Sequence, residues 1–291
     1  MTASTGSAWT RQLGHILARP VKRMRARWRR EEIVSGAEGA SKDAWSESFK
    51  NLTRRLLYRC WPTQAAEFEC PVCGYVGPFK DKSVRHGPRW RRRFSKCVGC
   101  GAAERHRMIH LVIDELFGAQ GGQSLLHVAP ELCLQTQLRD VFKTYHTSDL
   151  YLPDVDFQED LQAMSFAAGS YDAVLVSRVL MIPPDLGACL DEIRRILKPG
   201  GLALIAEAFH VGRTEEFSEM RRGESRRLGS DLVGQLEQRF SSVELYRSDR
   251  YDGKYQLTNL IEQAGRAHDE FPDAVRAEGR GYHEVVAVCR A

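Results

Sequence analysis

Two matched cysteine pairs offer the most specific chemistry in the chain. Cys70-Pro71-Val72-Cys73-Gly74 and Cys97-Val98-Gly99-Cys100-Gly101 are separated by 23 residues. A tight turn carries each pair, and Gly after the second cysteine lets both sulfurs point at one ion. Four thiolates suit tetrahedral zinc, and a set of four leaves no open coordination position, so the site reads as structural. The interval exceeds the roughly 15–20 residues of the common pattern and leaves room for a hairpin. A redox dithiol is the competing reading, but one such pair does not explain two matched turns. The expected metal ligands are Cys70, Cys73, Cys97 and Cys100, with His86 and His106 as packing or surface residues. The paired pattern favours metal ligation in a reducing, cytoplasmic setting over disulfides.

A second constellation begins at Leu125-Leu126-His127-Val128-Ala129-Pro130-Glu131. It occupies the place of a first strand and its turn, where dinucleotide folds use glycines to bring backbone close to a ligand. Here Ala129-Pro130 stands instead. His127, Ala129, Pro130 and Glu131 are the candidate cofactor residues of this turn. Asp149 follows Glu131 by 18 residues, at the end of a second strand, with Leu150 behind it. An acid there can accept both ribose hydroxyl hydrogens. Asp160 can accept from an adenine amino group, with Leu161 and Met164 packing on the ring. Ser177 closes the next strand. Each acid alone reads as a cap or loop carboxylate. In this order, with Leu197-Lys198-Pro199-Gly200-Gly201 downstream, they read as one site. For proton transfer the candidates at strand ends are Glu207 and His210.

The elements that position these groups alternate between strand and helix. Strands are predicted at 124–128, 145–148, 171–176, 202–207, 242–246 and 284–289, and helices at 102–117, 132–142 and 186–197. Such alternation implies a mostly parallel sheet with crossover helices. Residues 1–60 read as a basic, partly disordered arm with short helices. Residues 61–103 read as a zinc-ribbon-like module that needs a metal staple, being poor in aliphatic residues. Residues 104–291 form the α/β domain, with a polar insert at 247–282.

Composition is that of a globular chain, 43% hydrophobic and 27% charged. No apolar stretch approaches the roughly 18 residues of a membrane helix, so no transmembrane segment is expected. The net charge of +4 hides an asymmetry, because residues 1–110 carry 23 Lys/Arg against 9 Asp/Glu and the rest 19 against 29. The basic half, including Arg89-Trp90-Arg91-Arg92-Arg93, meets nucleic acid, an anionic surface such as lipid headgroups, a phosphorylated substrate or the chain's own acidic half. The first thirty residues hold eight Arg/Lys and no acid, which fits a basic tail or a transit peptide.

Residues 124–207 resemble a class I S-adenosylmethionine-dependent methyltransferase. They are most similar to a bacterial group that joins a Cys-Pro-x-Cys-Gly zinc module to such a domain. Glu104-Arg105-His106-Arg107 and the Leu-His-x-Ala-Pro-Glu turn match that group, and the match spans residues 70 to about 206. The resemblance implies a Rossmann-like sheet, S-adenosylmethionine as cofactor and methyl transfer to a hydroxyl of a small molecule or glycan. Arg105 or Arg107 then holds the methionine carboxylate or an anionic substrate, or hinges the two modules. Where such enzymes commonly read His-Val-Leu-Glu-His, this chain reads Arg178-Val179-Leu180-Met181-Ile182. An RNA methyltransferase and a non-catalytic binder of the cofactor are the alternatives. Absence of an Asn-Pro-Pro-Tyr motif disfavours base amino-group methylation.

Overall fold

Valine, leucine and isoleucine alternate with each other rather than with polar residues in the central strands, the mark of a sheet covered on both faces. The computed structural model shows this arrangement. It describes Thr53 and residues 67–83, 91–118, 120–262, 271–277, 279 and 281–291. Apart from Thr53, the expected arm of residues 1–60 lies outside the described residues, as does the 85–90 part of the basic run.

The main sheet has six strands. In chain order they are β5 (Gly122–Val128), β6 (Phe142–Ser148), β7 (Tyr171–Ser177), β8 (Leu197–Ala206), β11 (Ser242–Arg247) and β15 (Val285–Arg290). Their spatial order is β11-β15-β8-β7-β5-β6. Pairs among β5, β6, β7 and β8 are parallel, and β15 runs antiparallel to both β8 and β11. This is a Rossmann-like, mostly parallel sheet with one reversed strand. A single bridge, Ser148 to Phe157, extends it beyond β6.

Residues of β7 face alternate sides. Val174 and Val176 pack on α3 (Leu186–Ile196) through Cys189, Leu190, Ile193 and Ile196, with Leu232 and Leu236 of α4 (Leu232–Glu237) in the same cluster. Ala173 and Leu175 pack on the other side with Met108, Ile109, Val112 and Ile113 of α1 (Glu104–Phe117) and Leu138 of α2 (Gln135–Val141). Asp185 caps α3 by accepting from the Ala188 N–H. The start of α1 is closed differently, with His106 Nδ1 accepting from the Ala103 N–H at 3.1 Å.

A second, antiparallel sheet was not expected from the sequence. It has the order β13-β14-β12-β4-β3, built from β3 (Lys80–Ser83), β4 (Arg91–Lys96), β12 (Thr258–Glu262), β13 (Arg276–Ala277) and β14 (Gly281–His283). The hairpin between the cysteine turns therefore pairs with the polar insert, through Leu260 to Arg93 and Ile261 to Arg92. Two short hairpins complete the strands: β1 (Phe68–Glu69) with β2 (Val76–Gly77), and β9 (Glu215–Arg221) with β10 (Glu224–Arg227). Residues 51–291 cluster as one unit. Among the described residues no helix is long and apolar enough to cross a membrane.

Candidate functional site

The cysteine turns converge. Cys70 Sγ lies 3.7 Å from Cys100 Sγ, and Cys73 Sγ lies 3.7 Å from Cys97 Sγ. All four sulfurs fall within 4.8 Å of one another. Tetrahedral zinc with bonds of about 2.3 Å requires sulfurs roughly 3.8 Å apart, so the donor set fits that ion. Gly74 and Gly101 adopt φ of +68° and +78°, as turns closed behind each second cysteine require. A Cβ at Gly99 would stand 3.0 Å from Cys73 Sγ and 3.3 Å from Cys97 Sγ, so only glycine leaves space for the sulfurs. Arg107, fully buried, ties this region to α1 and the insert. Its guanidinium donates to the carbonyls of Ser95, Ala102, Tyr255 and Gln256. Four of the five Arg107 donors are thus taken by backbone carbonyls of the cysteine hairpin and the insert.

The turn after β5 lies at the switch point of the main sheet, where order reverses between β5 and β7 and where such sheets bind ligands. Ala129 has φ of +51°, the left-handed conformation that a glycine would adopt there. Its N–H donates to Ser148 O at 2.7 Å, which sets the turn beside the end of β6. The structure places His127, Glu131 and Ser177 in one internal network rather than on an open face. His127 is buried, with Nε2 2.9 Å from Glu131 Oε2 and Nδ1 2.9 Å from the Tyr145 hydroxyl. Ser177 donates to Glu131 Oε1 at 2.6 Å. Burial works against charge on Glu131, but the His127 hydrogen bond and the Arg105 guanidinium hold its carboxyl well below the usual range.

Asp149 Oδ1 accepts from the N–H groups of Tyr151 and Leu152, so the loop after β6 is wound around it. No hydrogen bond to its Oδ2 is seen among the described residues. Leu150 is exposed. Asp160 Oδ1 accepts from the Gln162 N–H, and both its oxygens accept from the Gln162 amide. Leu161 and Met164 are buried in the cluster that also holds Ala129 and Pro130 is buried alongside.

The exit of β8 carries a buried carboxyl. Register places Ala206 beside Ser177, and Val176 beside Val128, so Glu207 sits one residue past the level of the cofactor turn. Glu207 Oε1 accepts from the Val179 and Leu180 N–H groups at 2.7 and 3.0 Å. Its Oε2 is buried without a hydrogen-bond partner. Burial pushes the carboxyl up to about 7, with Arg178 and the two N–H groups pulling the other way. His210, three residues on, is exposed, with its ring edge-on to Tyr282 at 6.1 Å.

Sequence reasoning missed Arg226, Asn259 and Glu284, and the partners of Arg92, Arg93 and Arg178. Arg178, at φ +57°, ion-pairs with buried Glu284 at 2.6 Å. Glu284 also accepts from Asn259, and Asn259 Oδ1 accepts from Arg92. Arg92 lies 3.5 Å from Glu104, and Arg93 3.4 Å from Asp81. Part of the basic run is therefore engaged by acids of the same chain. Buried Arg226 donates to the carbonyls of Leu180, Pro183 and Pro184 and so clamps the loop after β7. No local pattern marks these partners, because they are up to 167 residues apart.

Residues 97–205 match the model of a methyltransferase domain. A polyketide synthase–nonribosomal peptide synthetase of Pyricularia grisea is 38% identical over 69 residues, 24% of this chain and 2% of that protein. An arsenite methyltransferase of Aquipseudomonas alcaligenes is 28% identical over 102 residues, 34% of this chain and 29% of that protein. The chain thus spans a small part of the curated relatives it matches. Among solved structures, the N-methyltransferase NodS of Bradyrhizobium japonicum is 16% identical, with a TM-score of 0.42, covering 64% of this chain and 95% of that one. The 1,6-didemethyltoxoflavin-N1-methyltransferase of Burkholderia thailandensis is 15% identical, with a TM-score of 0.43, covering 65% and 78%.

Proposed function

From a methyltransferase domain over residues 97–205, we infer that the chain is an S-adenosylmethionine-dependent methyltransferase acting on a hydroxyl of a small molecule or glycan. The observation that carries the hydroxyl is Glu207, a buried carboxyl with one unpartnered oxygen at the carboxyl end of β8. A hydroxyl is a weak nucleophile at neutral pH, and a base poised near 7 suits its activation. Val179 and Leu180 fix one oxygen of Glu207 and leave the other to take the proton. His210, exposed three residues further on, is the second candidate for proton transfer.

The residues present fit the cofactor. Ala129 supplies the left-handed turn, Asp149 an available oxygen for the ribose, and Asp160 with Leu161 the adenine side. When bound, S-adenosylmethionine supplies an electrophilic methyl on sulfur. The protein orients the acceptor and excludes water. The four thiolates hold a structural zinc whose binding energy orders the turns at 70–74 and 97–101.

Methyl transfer from radiolabelled donor into a panel of hydroxyl and glycan acceptors tests the reading. Glu207→Gln is expected to abolish transfer while leaving donor affinity intact. Transfer surviving in that variant refutes Glu207 as the base.

A further inference from the structure

We propose that the groove between the start of α3 and the β9–β10 hairpin holds a sugar unit of the methyl acceptor. This rests on the methyltransferase reading and names the class of its acceptor.

The groove has a volume of about 540 Å³. That falls within the roughly 300–1,000 Å³ usual for small-molecule sites. Asp185, just before α3, forms one wall. Arg213 and Glu216, where the chain enters β9, form another. Arg226 of β10, with Asp231 and Gln235 at α4, closes it. The chain itself fixes most of these groups. Arg226 donates to the carbonyls of Pro183 and Pro184 and to Glu216 Oε1 at 2.8 Å. Asp231 Oδ1 accepts from the N–H and the hydroxyl of Thr214 at 2.9 and 2.7 Å. Asp185 Oδ1 accepts from the Ala188 N–H at 2.9 Å. Each of the three carboxylates is thus anchored through one oxygen, and no hydrogen bond to the other is seen among the described residues.

Arg213 is different. It shares the groove with three acids and ion-pairs with none of them. Neither its guanidinium nor the Gln235 amide makes a hydrogen bond among the described residues. The walls therefore present donors and acceptors of both signs, held apart across a polar space.

That mixture selects the occupant. An oxyanion drawn to Arg213 also meets three carboxylates, and a cation drawn to the carboxylates meets two guanidinium groups. A hydroxyl donates and accepts at once. A neutral, polyhydroxylated ring can therefore give protons to the carboxylate oxygens and accept them from Arg213 and Gln235. It brings no charge that must be desolvated.

The groove also adjoins the proton acceptor, through Leu180. Its N–H donates to Glu207 Oε1 at 3.0 Å, and its carbonyl accepts from Arg226 Nη1 at 2.8 Å. The N and O of one residue are at most about 4 Å apart, so Glu207 Oε1 and the Arg226 guanidinium lie within roughly 10 Å of each other. A disaccharide is long enough to bridge that interval, so one unit in the groove leaves the next within reach of the carboxyl.

Saturation-transfer NMR on zinc-loaded full-length protein tests this. The probes are the methyl glycosides of glucose, galactose and mannose, with maltose and lactose, and inorganic phosphate and glycine are the charged comparators. At least one sugar is expected to bind. Arg213→Ala and Gln235→Ala are each expected to weaken it by about fivefold, as for the loss of a hydrogen bond. Lys143→Ala, on the far edge strand β6, is expected to leave it unchanged. The Arg213 and Gln235 side chains hold no other part of the fold, and melting curves check that both variants are folded. Undiminished sugar binding in both variants overturns the proposal. So does binding of phosphate or glycine through Arg213 with no sugar bound. Protein that binds S-adenosylhomocysteine but no sugar loses the groove proposal and keeps the methyltransferase reading. Protein that binds a sugar through Arg213 but never S-adenosylhomocysteine keeps the groove and loses that reading.

Discussion

Glu207→Gln has a consequence for stability that is independent of any substrate. The carboxyl is 2% exposed and its pKa is lifted from 4.5 to about 7 by burial. The folded state therefore holds this proton more tightly than the unfolded chain does. Stability from the protonated form is complete below about pH 4.5 and declines as pH rises toward 7. Above 7 it is gone. A shift of that size corresponds to about 3 kcal/mol at 1.36 kcal/mol per unit. Gln keeps an oxygen for the Val179 and Leu180 N–H groups and cannot ionise. Relative to wild type, the variant is expected to gain about 3 kcal/mol between pH 4.5 and 8. At about 2–4 °C per kcal/mol for a domain of this size, its relative melting temperature rises by roughly 6–12 °C over that range. Differential scanning calorimetry of both proteins at pH 4.5, 6, 7 and 8 measures this. Melting curves that stay parallel across pH would refute a buried, ionising Glu207 and remove the basis for its role as proton acceptor.

Other outcomes follow from the same geometry. Elemental analysis of protein purified under reducing conditions is expected to find about one zinc per chain, and Cys97→Ser to lose it; zinc-free wild type would end the metal assignment. Asp149→Ala is expected to weaken S-adenosylmethionine about 10- to 150-fold, for the loss of one charge-assisted bond of roughly 1.5–3 kcal/mol. Arg226→Ala is expected to destabilise the protein by about 2 kcal/mol or more, since it strands the buried Leu180 carbonyl and frees those of Pro183 and Pro184; an unchanged urea midpoint would contradict the clamp.

The main sheet was legible because its strands are apolar and separated by helices of clear period. The predicted strand at 171–176 and helix at 186–197 lie within one residue of β7 and α3. The two cysteine turns were legible because spacing alone dictates their geometry. The second sheet was not, for a physical reason. Lys80–Ser83 and Arg91–Lys96 carry almost no apolar residues, so they lack the alternation that marks a half-buried strand. Their partners are fixed by long-range polar contacts instead, such as Arg92 with Asn259. The cofactor turn gave a mixed signal. Ala129 does a glycine's conformational work without being one, while His127, Glu131 and Ser177 hydrogen-bond one another, a link that sequence spacing does not reveal. Glu207 was named from position alone, and its unpartnered oxygen became evident only with the loop at 178–180 in place.

Calorimetric titration of the zinc-loaded chain with S-adenosylmethionine and with S-adenosylhomocysteine tests the central claim most directly. Saturable binding of both at one site per chain, lost or sharply weakened in Asp149→Ala and retained in Glu207→Gln, is the predicted result. Absence of binding for either compound, in protein shown to be folded and metal-loaded, would contradict it.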